Sequence, residues 1–421
     1  GPTDPVTLEL PVLYVVWPCD KPFPADMDYE VLYDVFLPQA PTASQKAQGL
    51  SAEALHVLES MAIDTIRHTG DIGRYPSGII SCYDNYLNKY VPLVYLTVRF
   101  SLGSNIYEVK TDYNGYFSFK DPIFDNAVLS FVFDGLDGWK ITSGGSSATI
   151  IESRGTYKSL RGSSIRDFDI QVNSSSVPDP RYEIYRAVGF YFYGLRTSYG
   201  SSSLLHLPEI DRFVDSTTGG MRIEAHTAAI QEGEGVFKSF LGNAHYIKIG
   251  NVNRNNHPRL MGTILHEMGH YTQFWIHRGY NHYNDIPKLL KESWASYAGW
   301  YMGELYYSVQ RLLPIPFEDD ITRQARQSWH PAMANPYYYY SPLFVDLRDN
   351  YNQCERLNNS RYANDAIKNV PYSLINKLAR ESSWTGVKKV LREHISSGYY
   401  TETQLNDFLV QWDKYFAANP L

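Results

Sequence analysis

The segment Leu265-His266-Glu267-Met268-Gly269-His270 sets two imidazoles four residues apart, with a carboxylate directly after the first. On a helix, positions i and i+4 lie one above the other, so His266 and His270 can grip one metal ion between them. Glu267 projects to the side of that pair, where it can take a proton from an activated water without itself ligating. The chemistry this spacing suits is metal-assisted hydrolysis, and it requires the segment to be helical.

The flanking residues predict that helix. Pro258 follows Asn256 and His257 at what would be the first helical position, where a missing N–H costs nothing. Leu260, Met261, Ile264, Leu265, Met268, Thr272 and Trp275 recur at helical spacing as a buried stripe. Gly279 supplies a stop, so the helix is expected from about Pro258 to His277. A catalytic zinc takes three protein ligands and leaves its fourth place to water. The third ligand expected is Glu292, twenty-two residues after His270, on a second helix opened by Pro287 behind Asn284 and Asp285. Ala295, Ser296 and Gly299 share its face, and small side chains let two helices approach closely enough for a carboxylate to reach across.

The remaining histidines fit less well. His277 shares a face with His266 but lies about 16 Å further along the axis, too far to share the ion. His257 and His282 flank the helix and are expected at the surface. For an oxyanion stabiliser, His330, Tyr297 and the run Tyr337 to Tyr340, with Tyr339 and Tyr340 in it, are all suitable by type. His245 to Gly250 alternates as a strand and is the candidate edge against which an extended substrate would pair.

The whole chain of 421 residues is long enough for two or three domains, and the fold class expected is α+β. A net charge of −7 without a basic stripe argues against nucleic acid as a partner. No apolar run reaches the length of a membrane span. Cys19, Cys82 and Cys354 are too few and too scattered for a disulfide framework or a cysteine-rich zinc site. The 35 tyrosines offer flat apolar rings with polar tips, suited to wet surfaces and to sugar or peptide contacts. Gly1 reads as the residue left by tag cleavage ahead of a trimmed start, so the absence of a signal peptide says nothing about export, and a lipid anchor can have been lost from this chain.

In chain order, residues 1–88 read as a mixed α/β segment, with a strand from Thr7 to Trp17 and a helix from Leu50 to Thr69. That segment is expected to pack against the residues after it or to block a cleft. Residues 89–153 hold short strands at Val94 to Phe100, Tyr107 to Thr111, Tyr116 to Phe119 and Val128 to Phe133, with a turn at Asp112 to Gly115, and predict a small all-β sandwich. Residues 154–180 form a connector. Residues 181–421 open with a helix from Arg181 to Leu195 and a strand from Met221 to Thr227, and end in helices after Pro342. There Asp346 and Asp349 are expected to cap and solvate a helix starting at Pro342, the alternative being acids that support the metal site from behind its ligands.

The combination of His266-Glu267-x-x-His270 with downstream Glu292 resembles the gluzincin branch of zinc metallopeptidases. That resemblance implies a zincin-like domain over residues 181–421, one zinc per chain held by His266, His270 and Glu292, and Glu267 as general base. Residues Thr111 to Phe119 resemble the turn of carboxypeptidase-regulatory-like, transthyretin-like modules, a scaffold element. Pro76 to Ile80, Glu292 to Ala295 and Ser341 to Asn352 together resemble a group of secreted or lipid-anchored Bacteroidetes proteins, which implies a location in the cell envelope or outside the cell. Gly269 and Gln273 make the helix similar to that of enhancin-like, mucin-directed metallopeptidases, which implies glycoprotein as well as protein or peptide substrates. Many gluzincins carry an acid four residues after the third ligand to orient a histidine's outer N–H; here that position is Ser296. The function expected is zinc-dependent hydrolysis of a peptide bond, endopeptidase first. The alternative is a surface binding or adhesion module on an inactive or structural metal framework.

Overall fold

The computed structural model describes residues 75–123, 126–135, 138–144, 146, 148–157, 168–172, 179–197, 221–226, 228, 230–231, 235–239, 245–250, 257–277, 280–311, 343–349 and 366–418. The strand and helix expected within residues 7–17 and 50–69 lie outside them. Among the described residues the protein is α+β, with three sheets and a set of packed helices.

The strands of the first half are β1 (Ser77–Asp84), β2 (Lys89–Pro92), β3 (Thr97–Leu102), β4 (Asn105–Lys110), β5 (Tyr116–Ser118), β6 (Val128–Val132), β7 (Lys140–Ser143), β8 (Ile151–Thr156) and β9 (Phe168–Val172). β1 is the hub of the first sheet: β2 and β5 pair antiparallel with its two ends, and β9 runs parallel to it. The second sheet runs β4-β3-β6-β8, antiparallel throughout. Its strand β3 starts at Thr97, later than the alternation from Val94 suggests, because Tyr95 takes a left-handed φ of 58° and interrupts the extended backbone.

The turn expected at Asp112 is present. Asp112 Oδ1 accepts from the N–H of Asn114 at 2.8 Å and of Tyr116 at 2.9 Å. Gly115 closes it at φ 73°, where a Cβ would also stand 2.4 Å from the Ile80 carbonyl oxygen. The first two sheets share an aromatic core. Phe100 of β3 has Phe119 at 5.2 Å, Tyr157 at 5.7 Å and Phe168 of β9 at 6.0 Å between ring centroids.

The third sheet adds β10 (Arg222–Ala225), β11 (Gly235–Ser239) and β12 (His245–Ile249) in the order β11-β12-β10-β7. β10 is parallel to both β7 and β12, and β11 lies antiparallel to β12 at the edge. Strand pairing therefore crosses the divisions expected at residues 88, 153 and 180: β1 pairs with strands beyond 88, β9 falls within 154–180, and β7 joins β10. The edge strand expected at His245 to Gly250 is corrected as well. β12 has β10 on one side and β11 on the other, so among the described residues the edge strand is β11.

The helices are α1 (Pro180–Thr197), α2 (His257–Ile276), α3 (Tyr280–Asn284), α4 (Lys288–Arg311), α5 (Leu343–Asp346), α6 (Tyr372–Leu378), α7 (Trp384–Glu393) and α8 (Glu402–Ala418). α2 carries the paired histidines and lies between two cores. Leu260, Met261, Ile264, Leu265 and Met268 join the core of the sheets, while Phe274 joins a second core with Trp294, Trp300, Leu378, Leu391 and Phe408. Each such side chain contributes about 1.5–3 kcal/mol on burial, so both faces of α2 are held by apolar packing. α5 is a single turn against α4, and there Asp346 and Asp349 are buried, which corrects the solvated helix expected from Pro342. No described helix is long and apolar enough to cross a membrane.

Candidate metal centre

The approach of α2 to α4 brings the ligands together, and glycines permit it. A Cβ on Gly269 would stand 2.8 Å from Ala295 Cα and 2.9 Å from Ala298 Cβ; one on Gly299 would stand 2.9 Å from the Gly262 carbonyl oxygen. Trp294 Nε1–H donates to the Gly269 carbonyl at 3.0 Å, which fixes the register of the two helices.

Across this contact three potential ligand atoms converge. His266 Nε2 and His270 Nε2 are 3.1 Å apart, and Glu292 Oε2 lies 3.2 Å from the first and 3.3 Å from the second. A tetrahedral ion with bonds of about 2.0–2.1 Å would hold its ligand atoms about 3.3 Å apart, so the triangle has the size of one face of such a site. Glu292 Oε2 is buried and receives no well-directed hydrogen bond, although both imidazoles are close. Burial acts to raise the Glu292 carboxyl, but the His270 and His266 imidazoles outweigh it and hold the group well below the usual carboxylate range. Two imidazoles and a carboxylate could hold a metal ion, and they suit a borderline divalent cation.

Glu267 stands beside this triangle without entering it. Burial pushes its carboxyl up to about 7 against the pull of the His266 charge; the Glu292 charge adds to the rise and a hydrogen bond from the Phe237 N–H opposes it. That donor belongs to β11. Gly235 of the same strand is so close that a Cβ would meet Thr263 at 2.9 Å and Glu267 Cγ at 3.0 Å. The edge strand of the third sheet, among the described residues, thus lies directly on the carboxylate.

Tyr283, on α3, completes the centre, with its hydroxyl 3.0 Å from His270 Nδ1. Burial, with the Glu292 and Glu267 charges behind it, pushes the phenol well above its ordinary value. Ser296, at the position where many gluzincins carry an orienting acid, has its Oγ buried without a hydrogen-bond partner, and the tyrosine stands at His270 instead. Tyr297 points about 140° round α4 from Glu292 and is buried beside Trp294, Trp300 and Tyr301, away from the triangle. His330, Tyr339 and Tyr340, with the rest of Tyr337 to Tyr340, lie outside the described residues. His277 donates from Nε2 to the Ala379 carbonyl at 3.1 Å, and His282 is exposed.

His257 departs from its expected place at the surface. It is buried at the start of α2, where Nδ1 accepts from the Asn85 N–H at 3.2 Å. Around it stand Asp84 of β1 and Glu183 and Arg186 of α1, also buried. Asp84, Glu183 and His257 lie within common reach of a cation. Arg186 already supplies one, with Nη2 2.7 Å from Asp84 Oδ2 and paired to Glu183 Oε1. Burial lifts Glu183 to about 7 against the attraction of Arg186. Burial and the Arg186 charge lower His257 to about 4.

Sequence reasoning missed Tyr283, β11 and this buried cluster. The available pointer to Tyr283 was its place in the short connector between two ligands. Comparison with protein-family models, with curated proteins and with solved structures finds no match for this chain.

Proposed function

We propose that this protein is a zinc-dependent peptidase of the gluzincin type, acting on extracellular proteins or glycoproteins. The observation that carries the reading is the convergence of His266, His270 and Glu292 beside a buried carboxylate that does not join them. These three residues would hold one zinc ion. A structural site closes with four protein ligands and has no use for a neighbouring base. When bound, zinc supplies Lewis acidity, making water a nucleophile near neutral pH and polarising the carbonyl under attack.

The chain's own residues do the rest. Glu267 accepts the proton of the attacking water and passes it to the leaving amine. Its burial keeps competing solvent away and favours a basic carboxylate. β11, the edge strand among the described residues, offers its backbone groups not already bonded to Glu267 for an extended peptide to pair with. On the same reading, α2, α4 and the third sheet form a zincin-like domain, and the facing sheets around Phe100 form a carboxypeptidase-regulatory-like sandwich.

The test is zinc content of the native chain and of Glu267→Gln, with hydrolysis of quenched peptide and glycopeptide libraries by each. Zinc in both and cleavage by the native chain alone is the expected result. Zinc in both and cleavage by neither would favour the surface-binding alternative, and failure to take up zinc after reconstitution would remove the centre.

A further inference from the structure

Tyr283 touches every element of the candidate centre. Its hydroxyl meets His270 of α2; its ring meets Phe237 of β11 edge-on at 6.0 Å and Phe274 of α2 at 5.7 Å. Lys291 of α4, next to Glu292, sets Nζ 5.0 Å from the ring centroid. The tyrosine reaches this position from α3, within the connector that joins His270 to Glu292.

An imidazole that presents a lone pair at Nε2 carries its proton on Nδ1, and the partner of Nδ1 sets which tautomer prevails. At His270 that partner is the Tyr283 hydroxyl, which accepts from Nδ1–H in the ligand tautomer. The ring meanwhile backs Phe237, whose own N–H donates to Glu267. One side chain therefore supports a ligand with its polar tip and the edge strand with its apolar body.

We propose that Tyr283 is a positioning residue that couples metal holding to the seating of β11: the hydroxyl fixes His270 as a ligand and the ring pins the strand over Glu267. The proposal rests on the metal-centre reading above. Its two halves separate by substitution, since Tyr283→Phe removes the hydroxyl and keeps the ring, whereas Tyr283→Ala removes both.

The experiment is zinc affinity by competition with a chromophoric chelator, together with amide hydrogen exchange over residues 235–239, for the native chain and both variants. A thermal melt checks that each is folded. Tyr283→Phe is expected to bind zinc about 10–100-fold more weakly, with exchange over the strand unchanged. Tyr283→Ala is expected to lose at least as much affinity and also to exchange faster at Phe237. Native zinc affinity in Tyr283→Phe would overturn the role of the hydroxyl, and native exchange in Tyr283→Ala would overturn the coupling to the strand. A native chain that takes no zinc would sink the metal centre itself, a distinct outcome, while the exchange arm still decides the strand half.

Discussion

Glu183→Gln probes the buried cluster through the pH dependence of stability. Glu183 faces Arg186 from its own helix, Asp84 from β1, His257 from α2, and Tyr306 and Tyr307 from α4. In the unfolded chain its carboxyl releases a proton near the ordinary 4.5; in the folded chain burial delays release to about 7. Between those values the folded state binds the extra proton, so this group's contribution to stability falls as pH rises through the window. At about 1.4 kcal/mol per pH unit, the loss amounts to about 3 kcal/mol by pH 8. His257 runs the other way. Its folded value is lowered from 6.5 to about 4, so its contribution is present above 6.5 and is lost as pH falls toward 4. The native chain sets these slopes against each other, with the folded proton on Glu183 where the unfolded chain would place one on His257. The glutamine variant keeps the shape of the side chain and leaves only the histidine slope. Urea unfolding of both chains from about pH 4.5 to about pH 8 is expected to show the difference moving in favour of the variant by about 3 kcal/mol. A difference that stays constant over that range would refute the assignment, because Glu183 would then titrate alike in folded and unfolded chains.

Other expectations concern the centre. Gly269→Ala should destabilise the protein by about 1–3 kcal/mol and weaken zinc binding, since the added methyl drives α2 from Ala295 and Ala298; denaturation and metal titration measure the two effects. Glu292→Gln should lose most zinc affinity while keeping the fold, read by metal titration beside circular dichroism. Trp294→Phe should cost about 0.5–1.5 kcal/mol through loss of the hydrogen bond to Gly269, and an unchanged unfolding midpoint would argue that this bond contributes nothing.

What was legible in the sequence was mainly local. The apolar stripe from Leu260 to Met268 and the proline at its head placed α2 to within a residue at each end, and Pro287 placed the start of α4 equally well. The small residues on the same face as Glu292 foretold the close helix contact because packing density at a crossing is written in side-chain size. Non-local facts were hidden. β11 and β12 carry similar patterns, and only pairing with β10 decides which one is interior. His257 looked like a surface residue beside a proline, yet Asp84 and Glu183 approach it from elements remote in sequence. Ser296 had the right spacing to serve a histidine, but the 3.0 Å contact comes from a tyrosine in a connector with no periodic pattern.

The parallel pairing of β7 with β10 bears on how the chain folds. Lys140 lies opposite Arg222, so the sheet closes only after a long intervening stretch, including α1, has been brought round. Loop closure of that kind costs entropy before the strand contacts can offset it, and it slows folding. During synthesis β7 has no β10 to pair with until residues beyond 225 have emerged. A fragment that ends before residue 221 would present that edge of β7 unpaired, an aggregation hazard, even with its β1 to β9 sheets complete.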